Sequence, residues 1–117
     1  MNSQFPSGRM VEMRKGRLGE HEKGRPGEES FIPRVQGHDF ELEEIISRGA
    51  ASPEGFWYDQ ERNEWVLLAK GEAILRFEDE GVMEMKAGDH VLIPAGKRHR
   101  VESTSVDAVW VALHFRG

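Results

Sequence analysis

The sequence predicts an all-β fold, a sandwich or a barrel, and three features carry that expectation. From Phe40 onward, short strand-like runs follow one another at near-regular spacing, about eight in all. Turn residues separate them. No stretch shows the apolar recurrence of a helix.

In FELEEIISRG, Phe40, Leu42 and Ile46 alternate with charged residues, as in a half-buried strand. Ser52-Pro53-Glu54-Gly55 is a turn. Trp65 to Ala69 is a continuous apolar run closed by Lys70-Gly71. Ala73, Leu75 and Phe77 alternate with Ile74, Arg76 and Glu78, and Asp79-Glu80-Gly81 then forms a hairpin loop with Gly in the left-handed position. Val82 to Lys86 is the returning strand, and Ala87-Gly88-Asp89 the next turn. Val91-Leu92-Ile93 must stop at Pro94, which cannot donate to a ladder. Extended structure resumes over Arg98 to Glu102, and AVWVALHF, Ala108 to Phe115, is the final strand.

Composition separates the two ends of the chain. Residues 1–30 hold six Lys/Arg, five Asp/Glu, five Gly and two Pro, with Phe5, Val11 and Leu18 as the large aliphatic or aromatic residues. Such a stretch buries too little apolar surface to offset the entropy of ordering it. Residues 1–35 therefore read as a flexible or poorly structured N-terminal segment, and 36–117 as the barrel domain. The part after residue 30 carries ten basic and sixteen acidic residues. That balance argues against a nucleic-acid surface, which needs clustered cations. No cysteine is present, so disulfides, thiolate metal sites and thiol nucleophiles are excluded. No apolar run spans a membrane and no signal peptide opens the sequence, so a cytoplasmic location is the expectation.

Two stretches carry chemistry. The first runs from Gly55 through Phe56-Trp57-Tyr58-Asp59-Gln60 to Glu64, with Gly71 seven residues on. The second is GDHVLIPAGKRH, with Gly88, Pro94, Gly96 and His99 at fixed spacing. Here the sequence resembles the cupin superfamily, over roughly residues 40 to 116. The family's motifs read G-x5-H-x-H-x(3,4)-E-x6-G and G-x5-P-x-G-x2-H-x3-N. The resemblance implies a double-stranded β-helix, the jelly-roll barrel, with a pocket that commonly holds a divalent metal on three His and one Glu.

Glu64 and His99 stand at two of those ligand positions. The other two are Tyr58 and Gln60 in one register, or Trp57 and Asp59 in the other. The first register is preferred because Tyr58, Gln60 and Glu64 then share strand parity. The closing Asn of the second motif is Ser103. The implied ligand set is thus Gln60, Glu64, His99 and Tyr58. It is oxygen-rich, which weakens affinity and favours Mn or Fe over Ni or Zn. Tyr58 and His114 are the candidates for acid/base work, His114 because it shares parity with Trp110 and Ala112.

Other residues take plainer readings. His90 follows a turn and should be exposed, while His21 and His38 carry no signal. Trp57, Trp65 and Trp110 read as core or pocket-wall aromatics, and Arg100 as a surface residue or an anion contact. Asp59 reads as a turn or surface carboxylate. Glu41, Glu43 and Glu44 read as a solvated strand face. Gly71, Gly88 and Gly96 serve the turns. The sequence points to a metal-dependent enzyme on a small polar molecule, or alternatively to a barrel that binds or senses a small ligand without metal. A metal-free barrel serving as a dimer scaffold is a third option, and the resemblance implies a homodimer.

Overall fold

The computed structural model describes residues 11–20 and 24–117. Phe5 and His21, and with them much of the segment expected to be flexible, lie outside the described residues. Eight strands follow in chain order: β1 (Ser30–Gln36), β2 (Phe40–Ile46), β3 (Asn63–Lys70), β4 (Glu72–Phe77), β5 (Gly81–Lys86), β6 (His90–Ile93), β7 (His99–Thr104) and β8 (Val109–Phe115). They form a five-stranded sheet in the order β1-β2-β8-β3-β6 and a three-stranded sheet in the order β5-β4-β7. All pairings are antiparallel. The architecture is the all-β jelly-roll barrel that the sequence predicts. No helix of the described residues is long and apolar enough to cross a membrane.

The core lies between the two sheets and follows strand parity. Glu64, Val66 and Leu68 of β3 are buried, and Ala73, Leu75 and Phe77 of β4 match them from the other sheet. Met85, Ile93, Trp110 and Ala112 complete the apolar cluster. Gly71 makes the tight β3–β4 connection at φ +85°, where a Cβ would fall 2.9 Å from the Ala108 Cα. Gly81 takes φ +85° at the β4–β5 hairpin, as its position in Asp79-Glu80-Gly81 predicts.

Two features depart from the sequence expectation. The sheet begins at Ser30, inside the segment read as flexible. β1 pairs with β2 along its length, with one irregularity between Pro33 and Val35. Strand pairing supplies there the hydrogen bonds that low hydrophobicity alone did not signal.

The second correction concerns the acidic run of β2. Glu43 faces the barrel interior, opposite Ala112 of β8. Glu44 points the other way, yet only 1% of it is exposed. A buried carboxylate is tolerated only when paired. Arg34 reaches one Glu44 oxygen through Nη2 at 2.7 Å and Nε at 3.1 Å, and the Gly19 N–H donates to the other at 2.5 Å. Glu44 thus ties residues of the N-terminal segment to the outer face of the sheet.

Candidate functional site

Backbone hydrogen bonds stitch the two motif stretches together. The Tyr58 N–H donates to the His99 carbonyl at 2.7 Å, and the His99 N–H donates back at 3.1 Å. The Gly96 N–H donates to the Gln60 carbonyl at 2.8 Å, and the Ala95 N–H to Asn63 Oδ1 at 3.0 Å. Arg100 braces the preceding loop by donating to the carbonyls of Ser52, Pro53 and Phe56. Its Nε also donates to Glu102 Oε1 at 2.7 Å. Tyr58 and Gln60 precede β3 instead of lying on it, and Tyr58 bridges to His99 as an isolated pair.

These connections bring Tyr58, Gln60, Glu64, His99 and His114 to one cavity of about 70 Å³ inside the barrel. Its apolar wall includes Val66, Leu75, Ile93, Val101 and Trp110. Two further polar residues line it that the sequence did not single out as functional, Glu29 and Glu43. Glu43 had one usable signal: it is two residues from Ile45 on the same face of β2. Asp59 and His90 are exposed, as expected. Trp65 lies on the outer side of β3 beside His90, with ring centroids 5.3 Å apart, rather than in the core. Trp57 lies below the Arg98 guanidinium, 5.8 Å from it.

The polar residues sort into two Glu–His pairs. His99 Nδ1 bonds to the Lys97 carbonyl at 2.8 Å, which turns Nε2 toward Glu64 Oε1 at 3.5 Å. His114 Nε2 lies 2.8 Å from Glu43 Oε2. Glu64 and His114 are direct cross-strand neighbours on β3 and β8, so the two pairs adjoin. Tyr58 stacks on the His99 ring at 5.4 Å.

Charge follows this arrangement. Burial works against a protonated His99, yet the facing Glu64 carboxylate and the Lys97 carbonyl outweigh it and raise its pKa. The Glu43 hydrogen bond raises that of His114, against its burial. Burial pushes the Tyr58 hydroxyl up, and the carboxylates of Glu29, Glu64 and Glu43 push it further. Burial also raises Glu29, although its bond to Ser47 Oγ opposes the shift.

The donor set can be tested against a metal. A hydrogen bond from Nδ1–H to a backbone carbonyl is the usual way a ligating imidazole is held. Bonds of about 2.1 Å at a tetrahedral angle place two donors roughly 3.4 Å apart. The 3.5 Å between Glu64 Oε1 and His99 Nε2 fits that spacing. Among the described residues, no group of three or more His, Cys, Asp or Glu is placed to hold an ion. The protein thus offers two strong ligands, with the Gln60 amide oxygen as a weak third. The raised Tyr58 pKa keeps the phenol protonated and makes it a hydrogen-bond donor before a ligand.

Fold and pocket together define a jelly-roll barrel with its polar site inside. The cupin domain model matches residues 42–114, and the chain belongs to that family. A candidate mannose-6-phosphate isomerase from Ralstonia eutropha JMP134 is 38% identical, with TM-score 0.82, over 90% of this chain and 100% of that one. A cupin superfamily protein from Desulfitobacterium hafniense DCB-2 superposes with TM-score 0.73 at 15% identity, covering 92% of this chain and 94% of that one. KdgF from Halomonas sp. does so with TM-score 0.67 at 17% identity, covering 82% and 86%. At those identities the last two speak for the fold alone. No curated protein sequence matches the chain significantly.

Proposed function

We propose that this cupin holds one divalent cation between Glu64 and His99, with Gln60 beside them, and uses the surrounding cavity to bind and convert a small polar molecule. The observation that carries the reading is the facing of two buried donors at 3.5 Å, with His99 Nδ1 already engaged by Lys97. A bound divalent ion would supply Lewis-acid polarisation of a ligand oxygen. The residues of the chain do the rest. Glu64 and His99 fix the position of the ligand oxygen. Tyr58 donates a hydrogen bond from its protonated hydroxyl. The Glu43–His114 pair holds a proton at Nε2, within the same cavity, for general acid or base work. The apolar wall restricts water.

A second reading is a barrel that binds a small ligand without metal and performs no reaction. The replacement of two motif histidines by Tyr58 and Gln60 favours it. Metal analysis of the purified protein separates the two, with Glu64→Ala and His99→Ala as controls. One ion per chain that both substitutions remove supports the first reading. No ion after reconstitution with Mn, Fe, Ni or Zn overturns it.

A further inference from the structure

We infer that the outer face of the five-stranded sheet is an interface, and that its occupant is a second copy of this chain. Register places one residue from each of the five strands in a single transverse row: Val35, Leu42, Leu113, Trp65 and Leu92. Directly opposed residues of an antiparallel ladder share a face. This row lies on the side of Glu44, away from the cavity. All five residues are apolar, and Val35 and Leu92 are 51% and 57% exposed. Val111 and Leu67 continue the patch in the next row on one side, and Phe40 and Phe115 on the other. An antiparallel sheet that keeps one face in water places polar residues there. The three-stranded sheet does so: Arg76 and Arg100 are opposed on its outer face, and both pair with Glu102. The five-stranded sheet does not, and the runs WVLLA and AVWVALHF, apolar on both faces, are the sequence signature of that difference.

Size and charge select the occupant. Strands about 4.8 Å apart and outward rows about 6.7 Å apart give this face roughly 480 Å² in projection. That is more contiguous apolar surface than the few hundred Å² most soluble monomers leave in water. Two copies meeting through it cover about 1,000 Å², the size at which specific association begins. The chain carries a formal net charge of −5, so two copies repel except through a surface without charge. The transverse row carries none, and Glu44 beside it is already paired with Arg34 at 2.7 Å. A charged partner finds nothing on this row to pair with. A flat uncharged sheet complements itself about a twofold axis, with the two sheets packed about 10 Å apart. Leu18 of the N-terminal segment, 48% exposed, lines the groove beside Val35 and Glu44 and extends the apolar rim.

Sedimentation of the full chain tests this, independently of the metal reading. At about 100 µM, above the micromolar range of weak specific interfaces, the parent protein is expected to sediment as a dimer. Leu92→Glu and Val35→Glu lie at opposite ends of the row. Each is expected to raise the dimer dissociation constant at least about tenfold, since each puts a carboxylate into an apolar contact. Both positions are half-exposed in the single chain, so both variants should keep the β-sheet circular dichroism of the parent. Val82→Glu is the control. It is 56% exposed and opposes Arg76 on the outer face of the other sheet, and it should leave the dimer intact. A parent protein that is monomeric at this concentration overturns the inference, including one whose face is covered by residues 1–10 of the same chain. So does a dimer that either Leu92→Glu or Val35→Glu leaves intact, as pairing through other strand edges would, or one that Val82→Glu weakens equally.

Discussion

His114 of β8 and Glu43 of β2 meet across the sheet at 2.8 Å, from Nε2 to Oε2, with 8% and 17% of their side chains exposed. The pair adjoins Glu64 and gives the cavity a second proton-holding group. Its pH dependence follows from the direction of the shift. The folded imidazole holds its proton more tightly than the usual value of 6.5. The pair's contribution is therefore complete below about pH 6.5, the unfolded value, and is lost as the pH rises through the higher folded value. In metal-free protein, Glu43→Gln should cost about 1–3 kcal/mol near pH 6. Denaturant melts across pH 6 to 9 should show that gap closing as the pH rises. A gap that stays constant would contradict the pairing.

Glu44 should act as the anchor of the N-terminal segment. Glu44→Ala removes the acceptor of both Arg34 and the Gly19 N–H, at a cost of about 2 kcal/mol for charge-assisted bonds. Hydrogen exchange at Gly19 should accelerate, and trypsin should cut faster at Arg14, Lys15 and Arg17. Unchanged exchange at Gly19 would show that the segment is held by other contacts.

Gly71 and Gly81 share φ +85° but differ in their surroundings. Alanine at Gly81 meets nothing within 4 Å and carries only the backbone penalty, about 1 kcal/mol. Alanine at Gly71 adds a contact at 2.9 Å with the Ala108 Cα and should cost about 3 kcal/mol or more. Thermal melts of the two variants should differ clearly. Equal melting temperatures would count against the close approach.

Leu68 is fully buried at the centre of the apolar cluster. Leu68→Ala should destabilise the barrel by about 2–5 kcal/mol, as read by chemical denaturation. A loss under about 1 kcal/mol would place the core elsewhere.

The barrel was legible in the sequence because its strands announce themselves by alternation and its turns by Gly and Pro. Glu64 and His99 were legible from spacing. Glu43 and Glu44 were not, for a physical reason. A carboxylate in a strand is normally solvent-facing. Here one points into a polar cavity, and the other is covered by a segment whose own composition gave no sign of packing. β1 was missed for the same reason: its partner β2, rather than its own apolar content, orders it. Trp65 lies outside although the sequence reads it as core or pocket wall, because WVLLA is apolar on both faces and periodicity does not show which is inward.

Elemental analysis of natively purified protein reads out whether Glu64 and His99 hold a divalent ion inside the barrel. About one equivalent of a divalent metal per chain is expected, removed by EDTA and absent from folded Glu64→Ala and His99→Ala proteins. A folded parent protein that takes up no Mn, Fe, Ni or Zn on reconstitution, or one whose metal survives both substitutions, would contradict it.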